Sequence, residues 1–159
     1  MQCRLDSLQD TDHLGHVLAA MLYTLGPCPI LISGTLGAGK TTLIRHIVAH
    51  LENGDQAEVS SPSFNLVNIY PTQPEVVHMD LYRLGDLGMD ESLAEYLDAL
   101  NSALLVEWAD YLPDTEVPEH YLWVHIHPDT QGREVRLSAP EGPGQDWLGY
   151  VRKAFGMTG

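Results

Sequence analysis

The stretch LISGTLGAGKTTLIRHIVAHL, residues 31–51, passes from a short apolar run through a cluster of glycines into an amphipathic segment that begins with a lysine. This order of strand, tight loop and helix constrains the fold more than any other part of the chain. Gly34-Thr35-Leu36-Gly37-Ala38-Gly39-Lys40-Thr41 meets every fixed position of the phosphate-binding pattern G-x-x-x-x-G-K-[ST]. Glycines in such a loop let successive backbone N–H groups turn inward, where a Cβ would block the approach of a phosphate. Lys40 is then placed to neutralise β- and γ-phosphates and the Thr41 hydroxyl to ligate Mg²⁺. The helix that follows aims its positive end at the same anion. Gly37, Ala38, Gly39, Lys40, Thr41 and Thr42 are the candidate nucleotide-binding residues.

The flanking sequence supplies an α/β frame for this loop. Leu14, Val17, Leu18, Met21, Leu22 and Leu25 form a helical stripe, opened by Asp10, Thr11 and Asp12 and stopped by Gly26-Pro27. Leu43, Ile44, Ile47, Val48 and Leu51 form a second, ended by Asn53-Gly54, and Leu93, Tyr96, Leu97 and Leu100 a third. Segments 29–33, 64–70, 75–81 and 103–108 read as strands. Segments 121–127 and 134–138, joined across Gln131-Gly132, read as an antiparallel hairpin, and 146–155 as a closing helix. Alternating strands and helices predict an α/β, P-loop NTPase-like three-layer fold: a mixed, mainly parallel sheet with an antiparallel hairpin toward the C-terminus. At 159 residues the expectation is one domain, 1–159.

Charge narrows the choice of partners. Twenty-two Asp and Glu against eight Lys and Arg give a formal net charge of −14. Such a balance opposes nucleic-acid binding by the chain alone, since phosphate neutralisation needs clustered cations, and it opposes docking on anionic lipid. The segment MQCRLDSLQDTD is too acidic for a signal peptide. The longest apolar stretch, 17–32, is broken by Gly26, Pro27 and Pro29 and cannot span a membrane. Cys3 and Cys28 lack metal or redox spacing. A cytoplasmic location without membrane contact is expected.

A phosphate loop that supports hydrolysis needs an acid at the end of a neighbouring strand. ALLVEWAD offers Glu107 after a drier strand, the better candidate for holding Mg²⁺. EVVHMD offers Asp80, the better candidate for polarising an attacking water or for an outer metal contact. On a strand His78, Asp80 and Tyr82 would share one face and could build a polar site beside the phosphates. Either acid could instead cap the following turn. VSSPSFNLVNIY, residues 59–70, is read by composition as a turn followed by an alternating strand, although a serine there could also sense a γ-phosphate.

The order GTLGAGKTT, SPSFNLVNIY, HMDLYRL, LLVEWAD resembles the TsaE (YjeE) family of small bacterial P-loop ATPases over roughly residues 5–138. That family is required for making threonylcarbamoyladenosine in tRNA. The resemblance implies that Thr41 and Glu107 bind Mg²⁺, that Asp80 assists ATP hydrolysis, and that Ser63 sits in a switch-like loop. It also implies that Thr11 and Arg133 approach the nucleotide, and that the partners are the TsaD and TsaB proteins. Two positions depart from the family pattern: Thr35 stands where an acid is usual and Ser63 where threonine is usual.

Two rivals remain open: a small-molecule kinase, and a nucleotide-binding switch module without turnover. The kinase needs a basic lid, yet between His46 and Gly132 the only Lys or Arg is Arg83. A GTPase lacks its N-K-x-D signature. His46 and His50 lie one helical turn apart and read as a solvated face rather than a zinc site, as do His125 and His127 on their strand. Asp86, Asp90, Glu91, Glu95 and Asp98 read as an acidic helix face rather than a calcium loop.

Overall fold

The computed structural model describes residues 1–86, 91–97 and 101–157. Its elements are β1 (Gln2–Leu5), α1 (Leu8–Leu25), β2 (Ile30–Ser33), α2 (Lys40–Ala49), β3 (Val67–Tyr70), β4 (Val76–Asp80), α3 (Glu91–Leu97), β5 (Ala103–Glu107), β6 (Leu122–Pro128), β7 (Arg133–Ser138) and α4 (Pro143–Ala154). The seven strands form one sheet in the order β1-β7-β6-β2-β5-β4-β3. The four central strands, β6, β2, β5 and β4, run parallel. Antiparallel strands close both edges, with β7 and β1 beyond β6, and β3 beyond β4.

The alternation of side chains along each strand divides the interior into two cores, giving three layers. Ile30 and Ile32 of β2 point into a core with Leu105, Val124 and Leu137 that is covered by α1, α2 and α4. Leu31 points the other way, into a smaller core with Val77, Met79, Leu104 and Val106 that is covered by Leu93 of α3 and by Ala109 and Leu112. The expected α/β architecture and the hairpin across residues 128–133 are both present.

The differences are local and have physical reasons. The first helix begins earlier than its acidic stretch, because the Ser7 hydroxyl caps it by accepting from the Asp10 amide at 3.1 Å. Residues 2–5, too short to show an alternating pattern, pair with β7 as an edge strand. The strand expected from residue 64 begins at Val67, because Leu66 has φ +64°, outside the β region. Leu100, Asp90 and Asp98 lie outside the described residues.

Helices α1 and α2 approach closely at Gly15, where a Cβ would meet the Cβ of His46 at 2.5 Å and its carbonyl carbon at 2.9 Å. Alongside, Asp12 Oδ1 lies 2.9 Å from His46 Nδ1 and 2.8 Å from His50 Nε2, and His16 stacks on His50 at 4.9 Å. These histidines thus join two helices on a face that stays solvated, with His16 and His50 exposed. His125 is likewise engaged, with Nδ1 2.7 Å from the Ser33 hydroxyl, while His127 is exposed as expected.

Gly15→Ala should destabilise the protein by about 1–3 kcal/mol, the cost of overpacking a closed contact. Gly149→Ala, on the face of α4 where a Cβ meets nothing within 4 Å, should instead add roughly 0.5–1 kcal/mol through helix propensity. Urea unfolding of the two variants measures the contrast, and equal midpoints would contradict the packing described.

Candidate functional site

The glycine loop connects β2 in the middle of the sheet to α2, at the end where the parallel strands terminate. Ligands gather at this end of open α/β sheets. Gly34, Gly37 and Gly39 all have positive φ, +143°, +77° and +105°. At Gly34 a Cβ would also lie 2.4 Å from the Ile126 carbonyl oxygen. The Ala38 amide donates to the Thr35 carbonyl at 3.1 Å, and Gly39 opens α2 in the left-handed conformation.

Parallel pairing of β4 with β5 sets Asp80 opposite Glu107. Both carboxylates are almost fully buried, at 3% and 2% exposure, a costly arrangement unless each is hydrogen-bonded and offset by positive charge. The Thr41 hydroxyl donates into the Glu107 carboxylate, 2.7 Å from Oε1 and 2.9 Å from Oε2. His78 Nε2 lies 2.9 Å from Glu107 Oε1. Asp80 accepts from the Ser61 hydroxyl and, at 3.0 Å, from the Tyr82 amide.

Lys40 supplies the nearby ammonium. Its Nζ donates to the carbonyls of Gly34 at 2.7 Å and Thr35 at 2.9 Å, and sits 3.6 Å from the centroid of the Trp108 ring. Burial lowers its pKa from the ordinary lysine value, while the charges of Glu107, Asp80 and Asp110 pull the other way.

A cavity of about 420 Å³ joins these groups, with Gly37, Gly39, Lys40, Thr41, Thr42, Ser63, Asp80, Glu107 and Arg133 on its walls. Ala38 is fully buried and does not line the cavity, and its backbone carbonyl accepts from Arg133 Nε at 2.6 Å. Thr11 does not reach the cavity. Its hydroxyl donates to the Ser7 carbonyl at 3.2 Å, and it lines an adjoining crevice of about 40 Å³ with Gly39, Thr42 and Arg133.

His78 and Asp80 share a face of β4 as their spacing predicts, while Tyr82 lies beyond the strand and packs on Trp108 at 4.8 Å. Sequence reasoning missed Ser61, Trp108 and the bond from His78 to Glu107. Only the i, i+2 spacing of His78 and Asp80 hinted at the last of these.

A family model described as threonylcarbamoyl adenosine biosynthesis protein TsaE matches residues 5–135. A TsaE protein of Aquifex aeolicus is 37% identical over 67% of this chain and 74% of its own length. One from Streptomyces coelicolor is 35% identical over 74% of this chain and 82% of its own. A crystal structure of Bacillus subtilis YdiB superposes with a TM-score of 0.70 at 21% identity, covering 98% of this chain and 93% of that one, and so shares the fold. The chain belongs to the TsaE family of threonylcarbamoyladenosine biosynthesis proteins, and its residues 34–41 carry the nucleotide-binding P-loop pattern. No helix among the described residues is long and apolar enough to cross a membrane.

A phosphate entering the loop would draw the Lys40 ammonium away from the Trp108 face. Titration with ATP should therefore change the intrinsic tryptophan emission. Trp123→Phe should keep the change and Trp108→Phe should lose it, and a response surviving in Trp108→Phe would contradict this geometry.

Proposed function

We propose that this chain is a Mg²⁺-dependent ATPase subunit that serves threonylcarbamoyladenosine modification of tRNA together with the TsaD and TsaB proteins, as a single cytoplasmic domain spanning residues 1–159. The observation that carries the reading is the Thr41–Glu107 hydrogen bond, set beside Asp80 at the mouth of the loop that holds Lys40. A hydroxyl and a carboxylate from these two positions are the hard oxygen donors that magnesium takes alongside phosphate oxygens. Family membership supports the pathway.

In this reading ATP is the substrate. Backbone N–H groups of the loop and the Lys40 ammonium would hold its β- and γ-phosphates, and Thr41 with Glu107 would hold the ion. Bound magnesium would supply charge neutralisation at the β- and γ-oxygens. Asp80 orients a water for in-line attack: a bond forms between the water oxygen and the γ-phosphorus, and the bond to the β,γ-bridging oxygen breaks. ADP leaves with the bond's electron pair, and the water proton passes to Asp80 or to the phosphate. That Arg133, tied to the Ala38 carbonyl, and Ser63 both line the cavity supports a part for the first in meeting phosphate charge and for the second as a switch hydroxyl. Positioning and electrostatics supply the acceleration.

The kinase alternative is weakened because, among the described residues lining the cavity, the cations are Lys40 and Arg133, too few to clamp a second anionic substrate. A switch without turnover is separated by phosphate release. The net charge of −14 argues that tRNA is met through partners and not bound by this chain alone.

Lys40→Ala should weaken ATP binding by roughly 10- to 100-fold, the cost of losing hydrogen bonds from a charged group. Asp80→Ala should retain ATP yet lose hydrolysis by about 10²-fold or more. Calorimetry and phosphate release with TsaD and TsaB present check both. Normal hydrolysis by Asp80→Ala would move the water-orienting role elsewhere. The slow rate expected of the chain alone should rise with TsaD and TsaB and the enhancement should fall with added salt, so equal rates with and without them would reject partner activation.

A further inference from the structure

Glu107 is the acid whose hydrogen bonds both come from side chains, whereas Asp80 also accepts from a backbone amide. Glu107 ends β5, and its neighbour Trp108 already leaves the strand with φ +57°. Two side chains donate to its carboxylate: the Thr41 hydroxyl and His78 Nε2. On the proposed function the Thr41 oxygen would also meet the ion, so His78 is the donor whose only task is to hold Glu107.

His78 is itself held on both sides. It is fully buried, two residues before Asp80 on the same face of β4, and diagonal to Glu107 across the parallel pair. A carboxylate has no proton to give, so Nε2 carries the hydrogen and Nδ1 is left for a partner. That partner is the Tyr70 hydroxyl, 3.1 Å away, with the two rings 6.0 Å apart. The same hydroxyl lies 3.3 Å from the Ser60 carbonyl, and the Asn68 amide donates to it at 3.4 Å. Because the hydroxyl's one proton goes to Nδ1, the Ser60 carbonyl is only a neighbour, and the buried chain of bonds runs from Tyr70 through His78 to Glu107.

We infer that His78, fixed by Tyr70, is the positioning residue that sets the Glu107 carboxylate for metal binding. The inference rests on the proposed Mg²⁺–ATP function. Outer partners of metal ligands act in this way: they fix ligand orientation, and their loss costs about 10- to 100-fold in metal affinity.

The test is equilibrium binding of a non-hydrolysable ATP analogue by calorimetry, across a Mg²⁺ series and in EDTA. His78→Ala should raise the Mg²⁺ concentration for half-maximal binding by roughly 10- to 100-fold while leaving affinity in EDTA within about twofold. His78→Gln, whose amide N–H can still donate toward Glu107, should recover most of the loss. Tyr70→Phe, which keeps the ring and removes only the hydroxyl, should fall between, and it serves as the readout if His78→Ala does not fold. An unchanged Mg²⁺ requirement in His78→Ala, or in Tyr70→Phe should that be the one that folds, would overturn the inference. So would equal losses with and without Mg²⁺, or a Gln variant no better than Ala. If the unsubstituted protein binds the analogue without any dependence on Mg²⁺, the proposed function falls and this inference with it.

Discussion

Two carboxylates buried side by side are the constraint around which the rest of this molecule is arranged. Register between β4 and β5 brings Asp80 and Glu107 together with almost no solvent access, where like charges repel and neither is well hydrated. The neighbouring ammonium is Lys40, drawn toward both acids but bonded to its own loop carbonyls and covered by Trp108. That explains why a chain with so few lysines keeps one here. A divalent cation bridging to a polyphosphate would relieve the same repulsion, so the feature that costs stability in the protein alone is the one that favours the ligand.

The fold holds these groups through its most buried parts. The loop springs from β2, which has neighbours on both sides and is buried along its whole length. Helix α2, which presents Lys40 and Thr41, is clamped against α1 by the close approach at Gly15 and by Asp12 facing His46 and His50. Edge strands add to this without entering the site, except that the β6–β7 hairpin delivers Arg133 to the Ala38 carbonyl. The groups that would touch phosphate or metal are thereby anchored on α2, at the ends of β4 and β5, and on the β6–β7 hairpin.

Much of this was legible in residue order. The glycine spacing announced the loop, the 3.6-residue stripes located the helices, and the apolar runs before Asp80 and Glu107 marked them as strand-end acids. Residues 2–5 escaped notice because four residues carry too little periodicity, and their pairing with β7 is non-local. The left-handed conformations of Leu66 and Trp108 have no compositional signal, since neither is glycine or asparagine. The bond from His78 to Glu107 depends on which strands are neighbours, a tertiary fact. So does the pairing of His46 and His50 with Asp12, which their spacing on a solvated face does not reveal.

The most direct measurement is a crystal structure of this protein with magnesium and a non-hydrolysable ATP analogue. The account predicts the phosphates against the backbone N–H groups of the glycine loop, with Lys40 Nζ moved from the Gly34 and Thr35 carbonyls onto them. It also predicts an ion bound by the Thr41 hydroxyl on the side facing Glu107. Phosphates bound elsewhere, for example in the cavity of about 610 Å³ near Pro29 and His120 at the opposite end of the sheet, with Lys40 still on its own carbonyls, would contradict it.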